Sequence, residues 1–303
     1  MSLTLRQIRN NTAAARGLMR RARAERFAVG AFNLDNQETL KAIARAAVVK
    51  KSPVIVEATH DEIRSLGIDN IRDMVDNYKR ELSIEMYLGL DHGPSVDSAI
   101  ESIEAGFELI HIDISRADPG ASDEDIVAGT KLVADCARLT GALVESEPRY
   151  FDGVPQDAHG RPDHEKFKEG FSTPESARQF IEATGIDIYA AAIGNLHGKH
   201  HAPKVLDLEL LKLVREAVDC HISLHGGGGT PGHYFQDAIK IGVNKINISS
   251  DMRLAFRDSL ERALKENPDE LAVFKLMDEV IGSVQRVVEE KMDMFGSVGK
   301  SKA

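Results

Sequence analysis

Three histidines, His92, His197 and His225, each fall at or just past the C-terminal end of a short apolar run that reads as a strand. Imidazoles brought together from separate strands make a zinc-type donor set whose fourth position stays open to water or substrate. His200 and His201, just beyond His197-Gly198, are rival ligands. His225 opens the run HGGGG, whose glycines let the backbone approach a ligand closely or adopt positive φ. About twenty residues on, a second strand (Lys245 to Ile248) leads into Ser249, Ser250 and Asp251, which open a helix with N-capping residue types. A glycine-rich strand end beside a helix N-terminus makes an anion site from backbone N–H groups and the helix dipole. Carboxylates complete the set. Asp91 precedes His92, and adjacent residues near a strand end point different ways, so one can bind metal while the other transfers a proton. Asp113 and Glu147 could bind a second cation or orient ligands from behind, and a barrel-lining ion pair is the plainer reading of each. A Lewis-acid metal beside a phosphate cradle suits formation of an enediolate from a phosphorylated keto-sugar, the metal polarising the carbonyl and stabilising the oxyanion.

These residues need a scaffold that gathers strand ends. Short apolar segments recur at 27–33, 53–59, 84–93, 109–115, 142–148, 186–195, 221–226 and 245–250, separated by helical patterns such as NQETLKAIARAAVVKK and TPESARQFIEATG. Eight strands alternating with helices predict a parallel sheet closed into a (β/α)8 TIM barrel, in which strand C-termini converge on one pocket and phosphate sits after strands seven and eight. An open doubly wound sheet is disfavoured because no GxGxxG follows the first strand. The expected organisation is a single barrel domain over 1–303, with an N-terminal capping helix at 1–25 and a helical extension at 268–296. That extension either packs on its own barrel or forms a subunit interface in a homodimer or homotetramer. The Gly/Pro/Asp-rich linker after the fifth strand is longer than twenty residues and reads as an active-site lid.

The chain has 303 residues, 42% hydrophobic and 28% charged, with a net charge of -10. No basic surplus exists to displace counterions, which argues against nucleic acid as a partner. No apolar run reaches membrane-spanning length, and the polar N-terminus does not read as a signal peptide. With Cys136 and Cys220 read as reduced, the expected compartment is the cytoplasm.

Taken in order, AFN, SPVIVEAT, LDHG, HIDIS, VESE, IGNLHG, SLHGGGG and KINISSDMR resemble the class II, metal-dependent ketose-bisphosphate aldolases of the fructose- and tagatose-bisphosphate type, from about Leu5 to Phe256. By that likeness His92, His197 and His225 would hold a catalytic Zn2+, and Asp91 would exchange the proton on the substrate's C4 hydroxyl. Asn33 and Thr59 would contact substrate, and Gly198, Gly226, Gly228, Asn247 and Ser250 would hold the phosphate of dihydroxyacetone phosphate. Asp113 and Glu147 would sit near a secondary site for a divalent or monovalent cation, and Arg253 would contact the distal phosphate. The chain also departs from the family. The loop glutamate that takes the C3 proton has no counterpart, and Asp157 or His159 are the candidate replacements, with Asp163, Glu165 and Glu169 next. Gly228 stands where the family has a serine, with Thr230 nearby, and Ser249 occupies the position that separates fructose-type from tagatose-type enzymes.

The expectation is therefore a zinc-dependent lyase that reversibly cleaves a phosphorylated ketose to dihydroxyacetone phosphate and an aldehyde. A Schiff-base route is disfavoured because the sixth strand, IDIYAAAIGN, carries no lysine. The alternatives are a zinc-dependent sugar-phosphate epimerase or isomerase, which starts with the same proton abstraction, and an impaired homologue with a binding role.

Overall fold

The computed structural model describes residues 3–148, 164–196 and 205–302. Its strands are β1 (Val29–Asn33), β2 (Val54–Thr59), β3 (Met86–Gly93), β4 (Leu109–Ile112), β5 (Leu143–Ser146), β6 (Ile188–Ala190), β7 (His221–Leu224) and β8 (Val243–Ile248). They pair in parallel in chain order, and β8 returns to β1 to close the barrel expected from the sequence.

Side chains alternate across a strand, so one parity faces the barrel axis. On that parity Val29, Ala31, Ile55, Tyr87, Leu109, Leu143 and Ile188 form a buried cluster with Ala15, Leu18, Met19 and Ala22 of the helix Leu5–Glu25. This helix, capped by Thr4, closes the N-terminal mouth. Further along the same parity the residues turn polar: Asn33, Glu57, Asp91, His111, Asp113, Glu145, Glu147, Ser223, His225, Lys245 and Asn247, all buried. The opposite parity, including Phe32, Val56, Leu88, Ile110, Val144 and Ile246, packs into the larger core under the surrounding helices. The barrel thus has an apolar floor and an ionisable upper half.

Several strands end earlier than the apolar runs suggest. HIDIS stops pairing at Ile112 because Asp113 turns out of the ladder to cap the helix Ile114–Ala117, accepting from Arg116 N at 3.0 Å. By contrast, β8 begins two residues before Lys245, since Gly242 (φ 141°) ends the preceding helix and pairing starts at once with Val243. The C-terminal helix Val273–Met294 packs on the helices Gln37–Lys50 and Ser250–Glu266, burying Leu276, Val280, Val284, Val288 and Met292. Packing on its own barrel is therefore realised. Cys136 and Cys220 are free thiols. No helix among the described residues is long and apolar enough to cross a membrane.

Candidate active site

A kink in β3 builds the centre of the site. His92 has φ 48°, and the register with β4 shifts between Leu90 and Gly93. Strict alternation would send Asp91 and His92 to opposite faces, but the left-handed residue, which costs on the order of 1–2 kcal/mol, brings both side chains into the same cleft. His92 Nε2 lies 3.7 Å from Asp91 Oδ1. Both are buried.

Asp91 is held from two sides. Asn33 Nδ2 donates to Oδ2 at 2.9 Å, and Asn247 Nδ2 donates to Oδ1 at 3.2 Å. Burial opposes its charge, but the facing imidazoles, His92 foremost, keep its pKa well below the usual carboxylate range. It can therefore accept a proton without changing place. Asn33 Oδ1 lies at the cleft with no hydrogen-bond partner among the described residues and can receive a substrate hydroxyl.

Carboxylates stand behind the imidazoles. His92 Nδ1 lies 2.6 Å from Asp113 Oδ2, whose partner oxygen accepts from Ser115 Oγ at 2.9 Å. Burial would raise Asp113, yet the bond to His92 outweighs it and holds the carboxyl ionised. As an acceptor it places the His92 proton on Nδ1, leaving the Nε2 lone pair toward Asp91. His225 mirrors this: Nε2 lies 2.6 Å from Glu145 Oε1, and Nδ1 lies 4.0 Å from Asp91 Oδ1. Burial lowers the His225 pKa to about 3, so the ring is a neutral donor at physiological pH. Glu145 is kept ionised against burial by Lys245, whose Nζ also lies 2.7 Å from Glu57. Burial pushes Glu57 and Glu147 well above the usual carboxylate range.

The histidines lie against a glycine cradle. Asn33, Asp91, His92, His225, Gly226, Gly227, Gly228, Asn247, Ser249 and Ser250 line one cleft. A Cβ on Gly227 would come within 2.9 Å of the Asn247 carbonyl, and one on Gly228 within 3.2 Å of Asp251 and 3.4 Å of Ser250. Glycine at 227 lets the β7 loop sit against the end of β8, and a side chain at 228 would have to displace the Asp251 carboxylate. Ser249 occupies the N-cap position, but the expected capping hydrogen bond from its side chain is not formed. The first N–H groups of that helix thus keep their capacity for an anion.

Other expected residues lie elsewhere. Thr59 caps the helix His60–Leu66 and lines a neighbouring pocket with His60, His92, Asp113 and Arg116. Asn247 stays in the lining of the main cleft, but its side chain is hydrogen-bonded to Asp91, Glu57 and Lys245. Arg253 is engaged by Asp35 at 2.8 Å and Glu62 at 2.5 Å, apart from the residues that line the cleft. His197, Gly198, His200, His201, Asp157, His159 and Asp163 lie outside the described residues, as does the side chain of Glu165. Glu169 is exposed and lines an outer groove with Phe171 and Phe180.

His111 was missed. It lies two residues before Asp113 on the same inward parity, so the alternation in HIDIS marks it although it is not a strand-end residue. Glu57 and Lys245 were missed because charged residues low in a barrel look like errors in a strand pattern until they pair.

The donor atoms of Asp91, His92, His111 and His225 all lie within 4.8 Å of one another, and a second group joins His92, His111, Asp113 and Glu147. Neighbouring donors around a tetrahedral zinc with 2.0–2.1 Å bonds are roughly 3.4 Å apart. A set of imidazole and carboxylate donors at this spacing fits a divalent ion.

Known proteins agree. The family described as fructose-bisphosphate aldolase class-II matches residues 13–300. A fructose-bisphosphate aldolase of Thermus caldophilus is 33% identical over 308 residues, covering 94% of this chain and 98% of the relative. The crystal structure of the YdjI aldolase from Escherichia coli K12 superposes with a TM-score of 0.79 at 28% identity, over 94% of this chain and 98% of that one. A fructose-bisphosphate aldolase structure from Campylobacter jejuni, at 20% identity, shares the fold with a TM-score of 0.79 over 94% of this chain and 95% of that one. The resemblance drawn from the strand-end motifs is borne out: the chain belongs to the class-II fructose-bisphosphate aldolase family and is a carbon–carbon lyase.

Proposed function

We propose that this aldolase is zinc-dependent and reversibly cleaves a phosphorylated ketose to dihydroxyacetone phosphate and an aldehyde. The observation that carries the reading is the convergence of His92 Nε2 and His225 Nδ1 on Asp91 beside the glycine cradle. His92, His225 and, by the family resemblance, His197 would hold the ion. A divalent ion bound there polarises a substrate carbonyl and stabilises the negative charge that builds on its oxygen. Asp113 and Glu145 fix the tautomers of His92 and His225. Asp91, ionised and pinned by Asn33 and Asn247, takes the proton from the hydroxyl whose carbon–carbon bond breaks and returns it in the condensation direction. Gly226, Gly227, Gly228, Ser249 and Ser250 would hold the phosphate, and Asn33 and Thr59 would contact the sugar hydroxyls. Asp157 or His159 would serve the C3 proton. Asp113 and Glu147 would sit near the site of a second cation.

The test is exchange of the C3 proton of dihydroxyacetone phosphate with solvent deuterium, which needs no aldehyde. Exchange that stops on removal of metal with EDTA and returns with zinc supports the reading, and exchange that survives thorough chelation sinks it. A cytoplasmic site of action and a homodimer or homotetramer belong to the same reading. Leu271 (91% exposed) and Phe274 (74%) supply an apolar patch for a subunit contact, which light scattering on the purified protein checks.

A further inference from the structure

His111 is the buried imidazole that the reading above leaves without a role. It stands between the two proposed ligands, its ring centroid 4.5 Å from His92 and 4.5 Å from His225. Its Nδ1 lies 3.7 Å from Asp91 Oδ1, the same distance as His92 Nε2 and close to the 4.0 Å of His225 Nδ1. Three imidazole nitrogens thus surround one carboxylate oxygen. Nδ1 accepts a 3.2 Å hydrogen bond from the backbone N–H of His92, which puts the ring proton on Nε2 and a lone pair on the face toward Asp91. Nε2 is buried, has no hydrogen-bond partner among the described residues, and lies 3.6 Å from Glu147 Oε1, which also has none. His111 and Glu147 therefore repeat, at longer range, the arrangement of His92 on Asp113 and His225 on Glu145. In each case a carboxylate lies behind the ring and a nitrogen faces Asp91, the geometry by which metal-bound imidazoles are oriented.

We propose that His111 is a metal-ligating residue of this centre, donating Nδ1 as a further imidazole beside His92 and His225. This rests on the reading of His92 and His225 as ligands. On binding the ion, Nδ1 exchanges its weak bond from the His92 N–H for the metal, and Nε2–H closes onto Glu147. The competing role is purely structural: Nδ1 would only receive the N–H of the left-handed His92 and never touch the ion.

His111→Asn separates the two, because the Asn oxygen can still accept that N–H while being a poorer donor to a divalent cation. The probe is Co2+, added to the whole apo protein and to the variants His111→Asn, His197→Ala, His92→Ala and His225→Ala. Affinity is measured by competition with a chromophoric chelator. Each imidazole bound to cobalt carries one N–H on its other nitrogen, which gives one strongly shifted, solvent-exchangeable proton resonance. The wild-type protein is expected to show one such resonance for His111 that disappears in His111→Asn, with Co2+ affinity at least about tenfold weaker and an unchanged circular dichroism spectrum. Loss of that resonance in a folded His111→Asn supports the proposal whether or not His197→Ala also loses one, the latter deciding only whether His197 shares the ion. An unchanged set of resonances in a folded His111→Asn overturns it. If His111→Asn does not fold, the wild-type count decides: resonances for only His92, His225 and His197, identified by selective labelling of histidine nitrogens, overturn the proposal. Full Co2+ binding in His92→Ala and His225→Ala is a separate outcome that removes the parent reading.

Discussion

Lys245 Nζ meets Glu145 Oε2 at 2.7 Å inside the barrel, with neither side chain more than 1% exposed. The other oxygen of that carboxylate receives His225, so one buried cation holds the charge that orients a candidate ligand. Removing Lys245 leaves a buried carboxylate unpaired. Lys245→Met is expected to lower stability by about 3–5 kcal/mol, read as a shift in the urea midpoint. A midpoint equal to that of wild type would mean Glu145 does not depend on Lys245 for its charge.

Asp113 fixes His92 in the same way, but from the rim. Asp113→Asn keeps the shape and loses the charged acceptor, so affinity for Zn2+ should drop by about 10–100-fold in a chelator competition assay. Because Ser115 and the Arg116 N–H also use this carboxylate, the thermal midpoint should fall as well. Unaltered zinc affinity would assign Asp113 to helix capping alone.

Asp91 carries the proton in the proposed cleavage. Asp91→Ala should lower kcat by about 10²–10⁴-fold for whatever phosphorylated ketose the wild type cleaves, while zinc content stays near that of wild type. Equal losses in zinc content and kcat would make Asp91 chiefly a metal ligand.

The cradle makes a steric prediction. A methyl group at Gly228 would come within 3.2 Å of Asp251 and narrow the gap to the helix Ser250–Glu266. Gly228→Ala should raise KM for a phosphorylated substrate about tenfold or more and weaken inhibition by inorganic phosphate in parallel, since both use the same N–H groups. A rise in KM with phosphate inhibition unchanged would place the anion elsewhere.

Glu62 titrates in the neutral range. Burial foremost, helped by the nearby charge of Asp35 and opposed by the Thr59 N–H and Arg253, brings its pKa from 4.5 to about 7. Between those values the folded protein holds a proton that the unfolded chain has released, so stability falls as pH rises through the window. Below it both states are protonated, and above it the penalty is complete. The fall should be about 3 kcal/mol, and Glu62→Gln should flatten it in urea melts at pH 5 and pH 8. A slope that persists in the variant would point to other groups.

The barrel and its polar rim were legible because both follow from counting. Eight alternating units imply closure, and a period of two sends Asn33, Asp113, Glu147 and Asn247 to the axis once the first inward residue is known. What counting cannot register is a change of phase. The left-handed backbone at His92 breaks the alternation in β3 and places two neighbouring side chains in one cleft. Pairing was equally hidden: Arg253 carries a motif-like position but is spent on Asp35 and Glu62, which stand far from it in sequence. His111 sits on the inward parity one layer beneath the strand ends, and a pattern that marks only the last residue of each strand does not single it out.

Leu18, Met19 and Ala22 plug the barrel beneath its ionisable layer, so the buried Asp91, His92 and His225 are turned toward the opposite mouth, where the strands end. An aldehyde and its partner fragment are thus barred from the floor of the barrel, and whatever traffic the reaction needs runs over the strand ends.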